Sequence, residues 1–295
     1  MSVVAPAAGA ALAPREREAA GGRGGLARRL VRSASFDVGC AILGFWVVCA
    51  VFGASFAPHP ALAQSLLATN SPPSATHLFG TDQLGRDVLS RVIVGARSIL
   101  VVAPLATVLG TAAGTALGLA MGYVGGVLDV VVSRVVEAVL ALPMVIVALL
   151  FIVATGHSTA TLVVVIGFVF APLVARTVRA AVLGERELDY VAAARLRGEG
   201  AARIMFAEIL PNVASPILVE LTVRLGYAIF AVATLSFLGF GIQPPTPDWG
   251  ADIAANYSVI PAGYWWETLF PALAIASLVV AVNLVSDGVE GVISS

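Results

Sequence analysis

The chain has 295 residues, of which 59% are hydrophobic and 12% charged, with a formal net charge of −1. A soluble domain carries about 25% charged residues, so this composition excludes an ordinary soluble fold, and the near-neutral balance excludes a phosphate-reading nucleic-acid surface. The apolar excess falls in long runs, which predicts an all-α polytopic membrane protein with no separate soluble domain.

Residues 1–35 are rich in Ala and Gly and carry Arg15, Arg17, Arg23, Arg28, Arg29 and Arg32. Nothing there can build a core, and a flexible tail is expected. The apolar segment Val38 to Phe56 is long for a signal-peptide core, so it is taken as an uncleaved first span. Cys40 and Cys49 lie on it about 13 Å apart along a helix axis; they cannot pair and are expected as small buried side chains.

Hydropathy places six spans of about 20 residues, the length a bilayer core requires, near 37–57, 98–122, 128–155, 159–180, 213–238 and 268–290. The chain then divides into the tail, a unit 36–97 holding the first span and an outer segment with an interfacial helix, and a core 98–290 that includes a loop at 185–212. Both the tail and the loop between spans four and five are Arg-rich, the loop through Arg176, Arg179, Arg186, Arg195, Arg197 and Arg203. Positive residues favour the cytoplasmic side, and an even number of crossings separates the two, so both termini are expected inside. Arg86, Arg91 and Arg97 run against this rule and are placed on the interfacial helix, where Arg snorkels toward headgroups.

Glycines at 110, 114, 118 and 122 recur every four residues in span two and predict close packing on another span. Two charge pairs lie within spans, Arg134 with Glu137 and Glu220 with Arg224, each spaced to meet on one helix face. Intramembrane charge faces protein or a water-filled cavity, so Glu220 and Arg224 are candidate pathway residues, against the alternative that they pair to stabilise packing.

The stretch from Asp189 to Asn212 reads as two short helices broken at Gly198 to Gly200. Ala192, Ala193 and Ala194 would let another protein approach closely, Gly198 permits a sharp turn, and Pro211 leads into the next span. Such a loop is a docking knob able to pass a partner's movement to the spans on either side. At the opposite side, Gln243, Pro244, Pro245, Pro247 and Trp249 form a rigid loop, and Tyr264, Trp265 and Trp266 suit an interfacial aromatic belt.

No Gly-x-x-x-x-Gly-Lys-Ser/Thr element occurs, so no P-loop is expected, and His-Glu-x-x-His and Gly-x-Ser-x-Gly are absent. His59, His77 and His157 are isolated and lack metal-ligand spacing. No catalytic or metal site is expected. On hydropathy alone an ion-coupled transporter or channel is the rival class, but such proteins need no docking knob.

Ala193, Ala194, Gly198, Leu210 and Pro211 resemble the EAA loop of binding-protein-dependent ABC importer permeases, with departures at Ala192, where Glu is usual, and Glu208, where Ile is usual. Phe79 to Arg91 with Gly95 to Ser98, Leu235 to Pro245 with Trp249-Gly250, and Leu269 to Leu273 resemble the dipeptide/oligopeptide/nickel branch. Arg134, Glu137 and Pro143 also follow its pattern, although an Asp often holds the Glu137 place. The C-type permease of dipeptide importers is the nearest likeness. The resemblance covers about 79–287; the tail lies outside it, and Glu290-Gly291 departs from it.

The resemblance implies a type I importer transmembrane domain paired with a second, homologous permease in the bacterial cytoplasmic membrane. Two ATPase subunits would bind ATP and Mg, and an extracytoplasmic binding protein would deliver di- or oligopeptides; nickel, glutathione or another small solute is the alternative cargo. Glu187, Tyr190, Ala192, Ala193, Ala194, Arg195, Gly198, Arg203, Leu210 and Pro211 would carry ATPase docking. Thr81, Asp82, Gly85, Arg86, Asp87, Gln243, Pro244 and Trp249 would form an outer gate or binding-protein contact. Capping alone is the competing role for the 81–87 turn, with Asp82 and Asp87 closing the helix start or pairing with Arg86 and Arg91.

Overall fold

The computed structural model describes residues 34–293, so the expected tail falls almost wholly outside the described residues. The regular elements among them are helices, accompanied by one isolated bridge between Thr81 and Asp87. The helices are α1 (Ala34–Phe56), α2 (Val88–Val124), α3 (Gly126–Leu140), α4 (Met144–Thr155), α5 (Thr159–Glu185), α6 (Asp189–Leu196), α7 (Ala214–Phe237), α8 (Trp249–Asn256) and α9 (Trp266–Ile293). Five are long and apolar enough to cross a membrane, and the bent pair α3–α4 makes a sixth span if counted as one.

Two expectations about the spans are corrected. Residues 88–124 form a single helix of 37 residues, so the interfacial helix and second span are continuous and no boundary falls at 97/98. Asp87 caps this helix by accepting from the Ser90 amide at 2.8 Å, an end signal that a hydropathy window cannot register. The third span, expected unbroken over 128–155, is two helices bent by 93°. Pro143 explains the break: it lacks an N–H and disfavours helical backbone at the preceding Leu142.

The helices pack with the glycine stripe at their centre. Gly110, Gly114, Gly118 and Gly122 of α2 lie directly against the α5 backbone, and a methyl on Gly118 would stand 2.7 Å from the Ala175 carbonyl and the Val178 Cβ. This is the most extensive helix pair in the fold. Two buried clusters result. One, at the end bearing residues 57–87 (the cap end), gathers Trp46, Ile99, Phe170, Trp249, Trp266 and Leu278. The other, at the loop end, joins Leu119, Val178 and Val182 of the spans to Val191, Ala194, Ile204 and Ile209 of the 185–212 loop. Cys49 is buried as expected, whereas Cys40 faces outward from α1.

Candidate functional site

The 185–212 loop is two arms around a glycine corner. After α6 the chain turns at Gly198, whose φ of +77° is a left-handed conformation that favours glycine. It continues through Ala201–Arg203, a π-helical stretch Ile204–Ile209 and Leu210–Asn212 into α7. Val191 and Ala194 on one face of α6 are fully buried against the span ends, which leaves Ala192, Ala193, Arg195 and Gly198 exposed on the other. Leu196 projects furthest, 90% exposed beside them. Sequence reasoning passed it over, although a leucine directly after the Ala192–Arg195 run was the available signal.

The expected docking residues therefore separate by position. Ala194 is buried and Leu210 half-buried; Ala194 roots the loop because the period of α6 turns every third or fourth residue inward, and Leu210 packs against the same cluster from the second arm. Tyr190 is half-buried and donates to Glu185 Oε2 at 2.7 Å, and burial together with that carboxylate raises its phenol to about 12. Glu187, Arg203 and Pro211 are exposed. Glu187 pairs with Arg186, and Arg203 with Glu199. Arg195 lies 5.2 Å over the Tyr123 ring. Arg186 also donates to the Gly122 carbonyl at 2.8 Å, tying the loop to the last turn of α2.

At the cap end, the 81–87 turn is an interior joint. Thr81, Asp82 and Asp87 are all buried. Asp82 accepts from the amides of Leu84 and Arg86 at 2.9 Å and from Arg86 Nε at 2.6 Å. Gly85, at φ +69°, sits against the Ser65 carbonyl where a side chain would collide. Arg91 does not snorkel: it is buried and donates through Nε and Nη2 to Asp252 of α8. Trp249 is also fully buried, lies over Gly95 and donates to the Val92 carbonyl at 2.8 Å. Trp266, expected in the aromatic belt, is buried and donates to the Thr81 carbonyl at 3.1 Å. Among the expected outer-contact residues, Gln243 and Pro244 are exposed and Arg86 partly so. The burial arises because residues 57–87 fold back over the helix ends and take these polar groups inside.

Within the spans, Arg224 Nε donates to Glu220 Oε2 at 2.8 Å, and Thr177 of α5 donates to Glu220 Oε1 at 2.7 Å. Arg224 also stands 5.5 Å over the Tyr227 ring. Glu220 thus ties α5 to α7 while Tyr227 and Phe230 on the same helix remain exposed. Arg134 and Glu137 meet at 2.8 Å on the exposed side of α3. A further ion pair, Arg179 with Asp129, links α5 to α3 through two bonds of 2.5 and 2.7 Å. The histidines are not all isolated: the rings of His59 and His77 lie 4.7 Å apart, and His77 Nδ1 donates to Asp87 at 2.8 Å.

Residues 114–295 match the family described as binding-protein-dependent transport system inner membrane component. The chain is 44% identical over 247 residues to a dipeptide transport system permease protein of Escherichia coli, covering 82% of each. It is 38% identical over 263 residues to a dipeptide transport system permease protein of Bacillus subtilis, covering 89% of this chain and 82% of that one. A di/tripeptide transport system permease protein of Pseudomonas aeruginosa is 38% identical over 250 residues, covering 83% and 82%. The helical bundle, the rooted loop and these matches over most of the chain agree: the protein belongs to the binding-protein-dependent transport system inner membrane components and is a multi-pass permease subunit.

Proposed function

We infer that this permease carries di- or oligopeptides inward across the bacterial cytoplasmic membrane, with both termini and the 185–212 loop in the cytoplasm. Its partners are a second, homologous permease, two ATPase subunits that bind ATP and Mg, and an extracytoplasmic binding protein. The chain itself performs no ATP chemistry. One observation carries this reading: α6 presents Ala192, Ala193 and Leu196 outward while Val191 and Ala194 are fully buried among span residues. A partner pressing on the exposed face would act on a body already packed into α2 and α5.

Closure of the ATPase dimer on ATP would draw the loops of the two permeases together and turn the pair from inward- to outward-facing. Nucleotide binding shifts that balance only through contacts that differ between the two states. Gly198 has nothing within 4 Å of where a Cβ would stand, so a bulky residue there strains the left-handed corner but collides with no atom of its own chain, and its side chain would meet a docked partner. The names of the relatives support the peptide cargo.

Uptake of labelled dipeptide, longer peptide and nickel in cells with and without the gene tests the proposal. Loss of peptide uptake alone, restored by the intact gene and not by Gly198→Trp, is the expected result. Unchanged peptide uptake in the deletion would remove the cargo assignment, and full rescue by Gly198→Trp would remove the docking assignment.

A further inference from the structure

The fold brings together three metal-ligand side chains that the sequence keeps apart. His59 follows α1, His77 lies midway along the 57–87 segment, and Asp87 caps α2. One ligand atom from each lies within 4.8 Å of those of the other two. Asp87 is buried, and the imidazoles are part-exposed, which leaves the cluster reachable from solvent.

Partners outside the cluster orient two of the three, His59 and Asp87. His59 Nε2 is 2.8 Å from the Thr76 carbonyl, which can only accept, so Nε2 carries the proton and Nδ1 keeps its lone pair in the neutral ring. Asp87 Oδ2 accepts from both the amide and the hydroxyl of Ser90, at 2.8 and 2.7 Å, and this holds Oδ1 toward His77. The same Ser90 hydroxyl accepts from the His59 amide at 3.0 Å. Outer hydrogen bonds of this kind set the tautomer and aim of ligands in metal centres.

We propose that His59, His77 and Asp87 form a binding site for one divalent transition-metal ion of the zinc type. Two imidazoles and one carboxylate match the nitrogen and oxygen ligands such ions take, with a fourth position left to solvent. At metal–ligand bonds of about 2.0–2.1 Å, tetrahedral ligand atoms stand about 3.3 Å apart. The His77–Asp87 separation of 2.8 Å is already close to that, and metal would replace the proton now shared between them. The bound ion would fasten both halves of the 57–87 segment to the start of α2. The site stands on this geometry alone and not on the nature of the cargo.

The test uses the assembled transporter, purified without a histidine tag, stripped with chelator and titrated with zinc and, separately, cobalt(II). Wild-type complex is expected to hold one more ion per copy of this chain than the His59→Ala/His77→Ala double variant. It should also show the visible d–d absorption of four-coordinate cobalt and melt at a higher temperature with zinc than without. Asp87→Asn preserves the helix cap, since Asn caps as well as Asp, and should weaken binding at least about 10-fold while leaving metal-free melting unchanged. Should the double variant fail to assemble, His59→Gln alone gives the comparison. Equal metal content in wild type and variants, or a wild-type melt that zinc leaves unmoved, would overturn the site and leave the His77–Asp87 contact as a hydrogen bond only.

Discussion

Arg91 and Asp252 show what a buried charge pair demands. Each side chain is 6% exposed, and the two residues are 161 positions apart. Breaking such a pair from one side leaves a charge buried without a counterion, which costs about 3–5 kcal/mol, whereas replacing both with apolar residues is often neutral. Arg91→Met is therefore expected to lower the melting temperature of the detergent-purified complex sharply, and Arg91→Met/Asp252→Leu to recover most of the loss. A neighbouring carboxylate has a different balance. Asp248 is fully buried and caps α8 by accepting from the Ala251 amide at 2.9 Å. Burial raises it to about 6 from an ordinary 3.8. A carboxyl that is a weaker acid when folded stabilises the fold while protonated, and that contribution is lost as the pH rises through about 6. Asp248→Asn keeps the cap and removes the titration, so the variant should be more stable than wild type at pH 8, with the advantage narrowing as the pH falls from about 6 toward 3.8 and gone only below that, as melting curves at pH 8, 5 and 3.5 would show.

Among the elements, the α2–α5 pair is the one that a single side chain can pry apart. A methyl on Gly118 already meets the α5 backbone at 2.7 Å, and overpacking a filled interface costs about 1–3 kcal/mol or more. Gly118→Leu should reduce the yield of folded permease in the membrane, and Gly44→Leu, at a site with nothing within 4 Å, should not. The glycine stripe was legible because its period matches the helix and glycine has no other use at that spacing. The corner at Gly198 was legible for a related reason, since a glycine between two helical stretches marks a turn. The break at Pro143 was within reach, because proline is a visible signal, but hydropathy averages across it. The roles of Trp249 and Trp266 were not legible. An aromatic at a span end looks the same in sequence whether it meets lipid or is covered, and what covers these two is the fold of residues 57–87. The pairing of Arg91 with Asp252 and the meeting of His59 with His77 depend on that same fold, which no local pattern announces.

For the molecule as a whole, the loop end and cap end have different surfaces. At the loop end the exposed face combines small residues with Arg195 and carries one large, nearly fully exposed apolar side chain, Leu196. A leucine covered by a partner contributes about 1.5–3 kcal/mol, and a carboxylate in its place would be buried without a counterion, so Leu196→Asp should abolish co-purification of the ATPase subunits, or weaken it at least about 10-fold, while the permease still inserts and pairs. Retention of the ATPases at wild-type stoichiometry would show that the contact lies elsewhere. The cap end buries nearly all the charged groups of its 81–87 turn, while Gln243 and Pro244 of the loop before α8 stay exposed, as do Leu66 and Leu67 of the 57–87 segment. Contact with a binding protein would therefore meet these exposed residues rather than Thr81, Asp82 and Asp87, which are buried.

The length of α2 has a mechanical consequence. At 1.5 Å per residue its 37 residues extend about 55 Å, well beyond a hydrocarbon core of about 30 Å. One end is gripped by Asp87 and Trp249, the other by Arg186 at the Gly122 carbonyl. Pro104 interrupts the ladder between them, and a proline inside a helix removes one hydrogen bond and opens a place to bend. Below that point the glycines clamp α2 to α5. The rod thus has one weakened point: were the loop to move, the lower section would be carried with α5, the upper section would be held by the cap, and the strain between them would fall at residue 104.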